Sequence, residues 1–207
     1  MIAQETNNNN NHNHPNPNKT VHGNSIQIAE MMQKKSLIEP GSHTLLVYND
    51  LKAFREIYSQ YSRALLPQNE IVVIGTQYET INGVKNTLQL AGVDDVQRHL
   101  NEGTLFIVDA QQGYQNVDSR GMWKFAMSLL SRARKEGRQG VTWFGDPGSF
   151  FSFEKIEELM QYELSLPHKY EDTISTICSY HLKDFEILTE AQQQKLFDHH
   201  FKSIVVE

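Results

Sequence analysis

The sequence predicts an α/β fold: a three-layer α/β/α sandwich on a mainly parallel five-stranded sheet, with a further edge strand at the C-terminus. Two observations predict it. Five short runs rich in β-branched and aromatic residues recur along the chain, and amphipathic stretches long enough for helices separate them. Near-continuous apolar strands alternating with helices mark a parallel sheet covered on both faces. Each run also stops at a polar or ionisable group, and open α/β sheets bind ligands at the carboxyl ends of their strands.

The runs are His43–Tyr48, Ile71–Ile74, Thr104–Val108, Val141–Phe144 and Thr173–Cys178. They are followed by Asp50, Glu79, Asp109, Asp146 and His181, so those five residues are expected on one rim. Between the runs, Leu51–Leu66 puts Phe54, Ile57, Tyr58, Tyr61 and Leu65 on one helical face and is stopped by Pro67. Thr80 caps a helix that ends at Gly92, and Val96–Leu100 is a short helical turn. Trp123–Lys135 and Phe153–Leu166 carry apolar stripes, the second stopped by Pro167. Thr189 caps a last helix before the expected edge strand Ser203–Val206. These stripes read as core packing rather than as a cofactor box.

Residues 1–23 form an Asn-, His- and Pro-rich head with almost nothing to bury, expected to be disordered. Residues 24–40 read as a short amphipathic lead-in with Ile26, Ile28, Met31, Met32 and Leu37, and residues 41–207 as the folded domain. A net charge of -6 with mixed signs argues against a nucleic-acid surface and against an anionic membrane. No apolar stretch approaches the roughly 20 residues that span a bilayer. A single cysteine fits a reducing cytoplasm.

The first strand-to-helix turn is Tyr48-Asn49-Asp50-Leu51-Lys52-Ala53-Phe54. It has no glycine and no Gly-Lys-Ser/Thr, so it cannot form a phosphate cradle, and Asp50 would repel phosphate. Asp109 ends a strand as a magnesium-associated acid does in phosphate-loop enzymes; a structural role and a ligand contact both fit it. The segment Phe144 to Phe151 holds two glycines and Pro147. It is either a rigid turn anchored by its phenylalanines, or a pocket wall in which Asp146 supplies one oriented polar group among aromatics. Cys178 and His181 could in principle make a nucleophile–base pair, but a buried thiol with Tyr180 and His181 facing the rim is the simpler arrangement. A zinc site would need about four N/S ligands, and no second cysteine exists. His199–His200 near the end of the last helix reads as a solvated or dipole-interacting pair.

Five stretches together resemble the MEDS family of sensory domains from methanogens and methylotrophs. They are Pro40 to Tyr48 (PGSHTLLVY), Glu79-Thr80, Gly140 to Asp146 (GVTWFGD), Glu163 to Pro167 (ELSLP) and Cys178 to His181 (CSYH). The resemblance covers about residues 40–207. More remotely the layout is similar to the RecA-type ATPases of the KaiC-like group, without their phosphate loop. The resemblance implies a degenerate nucleotide-binding fold turned into a bacterial or archaeal sensor of small hydrocarbon-derived compounds, beside a signalling kinase or transcription regulator.

The expected function is therefore non-catalytic ligand sensing at the strand rim, read out through such a partner, without cofactor, metal, direct nucleic-acid binding or membrane association. A homodimer is compatible with this reading. Tyr48, Tyr78, Phe144 and Phe150 would form walls, and His43, Glu79, Asp109, Asp146, Tyr180 and His181 the polar contacts. Two other readings stay open: an enzyme using His181 as acid/base with Asp146 or Glu79, and an interaction module docking through Ile26–Leu37.

Overall fold

The computed structural model describes residues 20–33, 38–116, 119–170 and 173–207. Seven strands form one sheet: β1 (Thr20–Gly23), β2 (His43–Tyr48), β3 (Ile71–Thr76), β4 (Leu105–Asp109), β5 (Val141–Gly145), β6 (Ile174–His181) and β7 (Lys202–Val206). Their spatial order is β1-β7-β2-β6-β5-β3-β4, and every pairing is parallel. The strands alternate their side chains between two faces as the pleat requires.

On one face Leu46, Tyr48, Val72, Ile74, Phe144 and Ile177 pack under helices α1 (Ser25–Gln33), α2 (Leu51–Leu65), α3 (Ile81–Leu90) and α4 (Val96–Glu102). The opposite face is divided. Ile71, Val73, Val141 and Ile174 pack under α6 (Ser119–Lys135), which follows α5 (Ala110–Asn116). Leu45, Val47, Cys178 and Tyr180 pack under α8 (Ile156–Ser165), α10 (Glu190–His199) and the short α7 (Gly148–Ser152) and α9 (Leu182–Phe185). A narrow opening between those two clusters leads to a larger one beneath α6 at the ends of β3, β4 and β5.

The caps follow from sequence. Asp50 accepts the Ala53 N–H and Thr80 the Gly83 N–H, and Thr189 with Gln192 completes a capping box.

Four boundaries differ from expectation. Tyr180 and His181 continue β6, because they stay in register with Val47 and Tyr48 of β2. The strand over 202–206 is not an edge, since β2 flanks it on one side and β1 on the other. Thr20–Gly23 of the expected unstructured head supplies that outer strand; residues 1–19 lie outside the described residues. The stretch 153–166 yields a helix only from Ile156, after a left-handed Glu154 (φ 56°) breaks the turn from α7.

The lead-in helix α1 is part of this domain rather than a free docking arm. Ile28 is fully buried in the core beneath it, whereas Ile26 is 54% exposed. Ile28→Ala should therefore destabilise the protein by about 2–5 kcal/mol. Ile26→Ala should stay within about 0.5 kcal/mol of wild type. Urea denaturation of the two variants measures the contrast, and equal small effects would mean that α1 docks only loosely.

Candidate functional site

The strand rim is mostly self-satisfied. Glu79, its side chain 1% exposed, is held by the Arg55 guanidinium at 2.7 Å and by the Tyr58 hydroxyl at 3.2 Å. The Tyr78 hydroxyl donates to Asp184. His181 Nδ1 accepts the Lys183 N–H and so starts α9. Asp50 fills the N-terminus of α2, where a phosphate would otherwise take the free N–H groups. Asp109 caps α5 through the Gln112 N–H and ends the outermost strand, with β3, β5 and β6 between it and β2.

The structure does bring several expected residues together. His181 lies edge-on to Tyr48 at 5.3 Å and near Tyr78 at 5.6 Å, and the Tyr48 hydroxyl is buried without a hydrogen-bond partner. Asp146 accepts the Gln77 N–H and the Gly148 N–H, both at 2.9 Å, and so clamps the β5 turn onto the end of β3. Gly148 is required there: a Cβ would stand 2.8 Å from Gln77 Cγ and 3.0 Å from Asp146 Oδ1. Burial pushes the Asp146 carboxyl up to about 7 despite those two N–H donors, with Asp184 and Glu79 adding to the rise.

Other expected rim residues lie elsewhere. His43 opens β2 and therefore sits at the opposite end of that strand from the rim. Phe144 points into the α2 face against Tyr61, and Phe150 stacks on Tyr162. Tyr180 is buried, its hydroxyl donating to Glu163 at 2.7 Å. His200, read from sequence as solvated, is fully buried.

What sequence reasoning missed is that α6 walls the site: the larger opening lies at the carboxyl ends of β3, β4 and β5, at Gly75, Val108 and Gly145. Between α6 and the sheet runs an apolar gap in two adjoining parts. A cavity of about 130 Å³ is bounded by Gly75, Gly121, Met122, Phe125 and Trp143, with Asp146 as its polar group. A smaller one of about 40 Å³ shares Met122 and Trp143 and continues past Trp123, Tyr162 and Tyr170 to Glu163 and Cys178. Trp123 stacks on Tyr170 at 5.7 Å, and Phe125 meets Trp143 edge-on at 5.8 Å. Aromatic and apolar walls with a few placed polar groups make a small-molecule site.

At the inner end Glu163 lies between two imidazoles. Its Oε2 is 3.5 Å from His43 Nε2 and 3.5 Å from His200 Nε2, and His43 Nε2 is 3.3 Å from Cys178 Sγ. Burial, with His200 alongside, pulls His43 down to about 4. Burial alone would raise Glu163, but the imidazoles of His200 and His43 hold its carboxyl below the usual range. Burial and the neighbouring Glu163 push the Cys178 thiol well up. His43, Glu163, Cys178 and His200 are the group, among the described residues, with donors placed to hold a metal ion. Three of the four lie in stretches that carried the sequence resemblance. His200 has no such signal.

The layered α/β domain with its parallel sheet has a RecA-like fold, and Asp50 caps α2 at the β2–α2 turn where the nucleotide loop of that fold would lie. Solved structures with a similar fold include two from Pyrococcus horikoshii. One is the uncharacterised protein PH0321 from Pyrococcus horikoshii, in complex with an unknown peptide, with TM-score 0.61 and 15% identity over 86% of this chain and 82% of that one. Another is the KaiC-like protein PH0186 from Pyrococcus horikoshii OT3, with TM-score 0.52 and 14% identity over 71% of this chain; the match spans 64% of that protein's length. No curated protein matches the sequence. The chain belongs to the MEDS family, the MEthanogen/methylotroph, DcmR Sensory domain, whose model matches residues 42–200. Among the described residues no helix is long and apolar enough to cross a membrane.

Asp146 gives a pH test of this geometry. Its folded value near 7 lies above the unfolded value of about 3.9, so the fold binds that proton more tightly. Its contribution is then fully present below about pH 4 and is lost as pH rises towards 7, by at most about 1.4 kcal/mol per pH unit. Asp146→Asn cannot titrate and should show a constant offset without that slope. Denaturation of both proteins between pH 4 and 8 measures the difference. Parallel curves would place Asp146 in a solvated setting instead.

Proposed function

We propose that this chain is a non-catalytic sensory domain that binds a small, largely apolar molecule in the gap between α6 and the sheet, and passes the signal to a kinase or transcription regulator. The observation that supports this most is the cavity of about 130 Å³ walled by Phe125, Trp143 and Met122 beside the single polar group Asp146. An apolar protein cavity of about 150 Å³ stays dry and takes benzene or xenon, so this one suits a ligand of a few heavy atoms. Ionic and multiply hydroxylated ligands would find too few partners there.

The rim residues enter this reading through Asp146, which belongs to both the rim and the mouth of the gap. Asp146 holds the Gln77 N–H, and the next residue, Tyr78, lies against His181, so a ligand that shifts the β5 turn would be felt at the rim. The output follows from α6. It covers one apolar cluster on its own, and a guest beneath it changes how that helix sits on the sheet. The more open groove bounded by Tyr78, Glu79, Asp109 and Gln111 is polar and suits a partner contact better than an apolar guest.

Benzene serves as the probe. At about 100 times its dissociation constant a ligand adds roughly 2.7 kcal/mol to folding stability. Benzene should raise the melting temperature of the wild-type protein. Gly121→Leu, which places a side chain in the cavity, should abolish that rise while keeping the fold. An equal rise in both proteins, or none in either, would refute binding in this gap.

A further inference from the structure

Four donors from separate parts of the chain meet at the inner end of the gap. His43 opens β2, Glu163 comes from α8, Cys178 from β6, and His200 directly follows α10. All four residues are buried, and the donor atoms lie within 4.8 Å of one another. Three of the separations are 3.3, 3.5 and 3.5 Å. A tetrahedron with metal–ligand bonds of about 2.0–2.3 Å has edges of about 3.3–3.8 Å, so three of the six edges already match, and the others must close from no more than 4.8 Å.

We propose that His43 Nε2, Glu163 Oε2, Cys178 Sγ and His200 Nε2 form a buried four-coordinate site for a divalent transition metal of the zinc class. The proposal stands apart from the sensing reading and does not need a guest in the gap.

The surrounding hydrogen bonds aim the donors inward. His200 Nδ1 donates to the Leu196 carbonyl at 2.7 Å, which leaves Nε2 as the ring nitrogen aimed at Glu163. The Tyr180 hydroxyl holds Glu163 Oε1, leaving Oε2 buried without a hydrogen-bond partner. Metal-binding imidazoles and carboxylates are oriented by outer partners of these kinds. Nε2 and Oε2 facing each other at 3.5 Å in a buried site need a cation between them, either a proton or a metal.

Charge and donor type favour the metal. A divalent ion with one carboxylate and one thiolate is neutral overall, which removes the cost of burying the Glu163 charge. Binding would displace the Cys178 proton to solvent. Sulfur and imidazole donors select zinc-class ions over magnesium or calcium, which take oxygen. The lone cysteine that argued against zinc from sequence is no obstacle, because a carboxylate completes the set. The smaller cavity reaches both Glu163 and Cys178 and gives the ion a way in.

The test is titration of the full chain, stripped with a chelator, using cobalt(II) and then zinc(II). One equivalent of cobalt should give tetrahedral visible absorption together with a thiolate-to-cobalt charge-transfer band. Zinc should displace both signals and raise the melting temperature. Tyr180→Phe should weaken binding by about 10–100-fold with the band retained. Cys178→Ser should lose the band. His12, His14 and His22 in the head can also take up metal, but binding there carries no thiolate band. Wild-type protein that shows only bandless binding, or none at micromolar metal, overturns the site even if the variants fail to fold.

Discussion

A parallel sheet covered on both faces leaves no water for the polar groups it buries, and the Glu163 carboxylate is the hardest of these to accommodate. It is 1% exposed and lies against the sheet at the start of β2 and the middle of β6. A buried unpaired charge costs several kcal/mol, so the surroundings must compensate it. Here α8 supplies the acid, β2 and the end of α10 supply imidazoles, and β6 supplies the Tyr180 hydroxyl. Four elements distant in sequence are thereby held in one arrangement.

That polar knot explains why one face of the sheet is continuous and the other divided. Under α1 to α4 the apolar side chains merge into a single cluster. On the far side the knot and its aromatic neighbours Trp123, Tyr162 and Tyr170 separate the α6 cluster from the α8–α10 cluster. The smaller cavity runs between the two clusters along these rings. That smaller cavity adjoins the larger one at Met122, Trp143 and Gly145.

Much of the architecture is legible in the sequence because it depends on local chemistry. Alternating apolar runs, Asp50, Thr80 and Thr189 at helix starts, and Pro67 and Pro167 at helix ends define the layers and their order. The absence of a phosphate cradle is equally local, and Asp50 as a cap explains it. What the sequence does not display is which side of a strand meets which helix. His43 and Tyr180 lie at the ends of apolar runs, and only the parallel register of β2 with β6 shows that both face α8 rather than the rim. The pairing of His200 with Glu163 spans elements that no periodicity links. Thr20–Gly23 shows the converse: a short polar-looking segment becomes a strand because β7 offers an unpaired edge.

The central claim is that the guest lies beneath α6 at the carboxyl ends of β3, β4 and β5, rather than in the open groove beside Tyr78 and Glu79. A crystal of the protein pressurised with xenon tests it directly, since the anomalous signal of the gas marks where an apolar atom binds. The account predicts a xenon peak between Trp143, Met122 and Phe125. Density confined to the groove beside Tyr78 and Glu79, or none beneath α6, would contradict it.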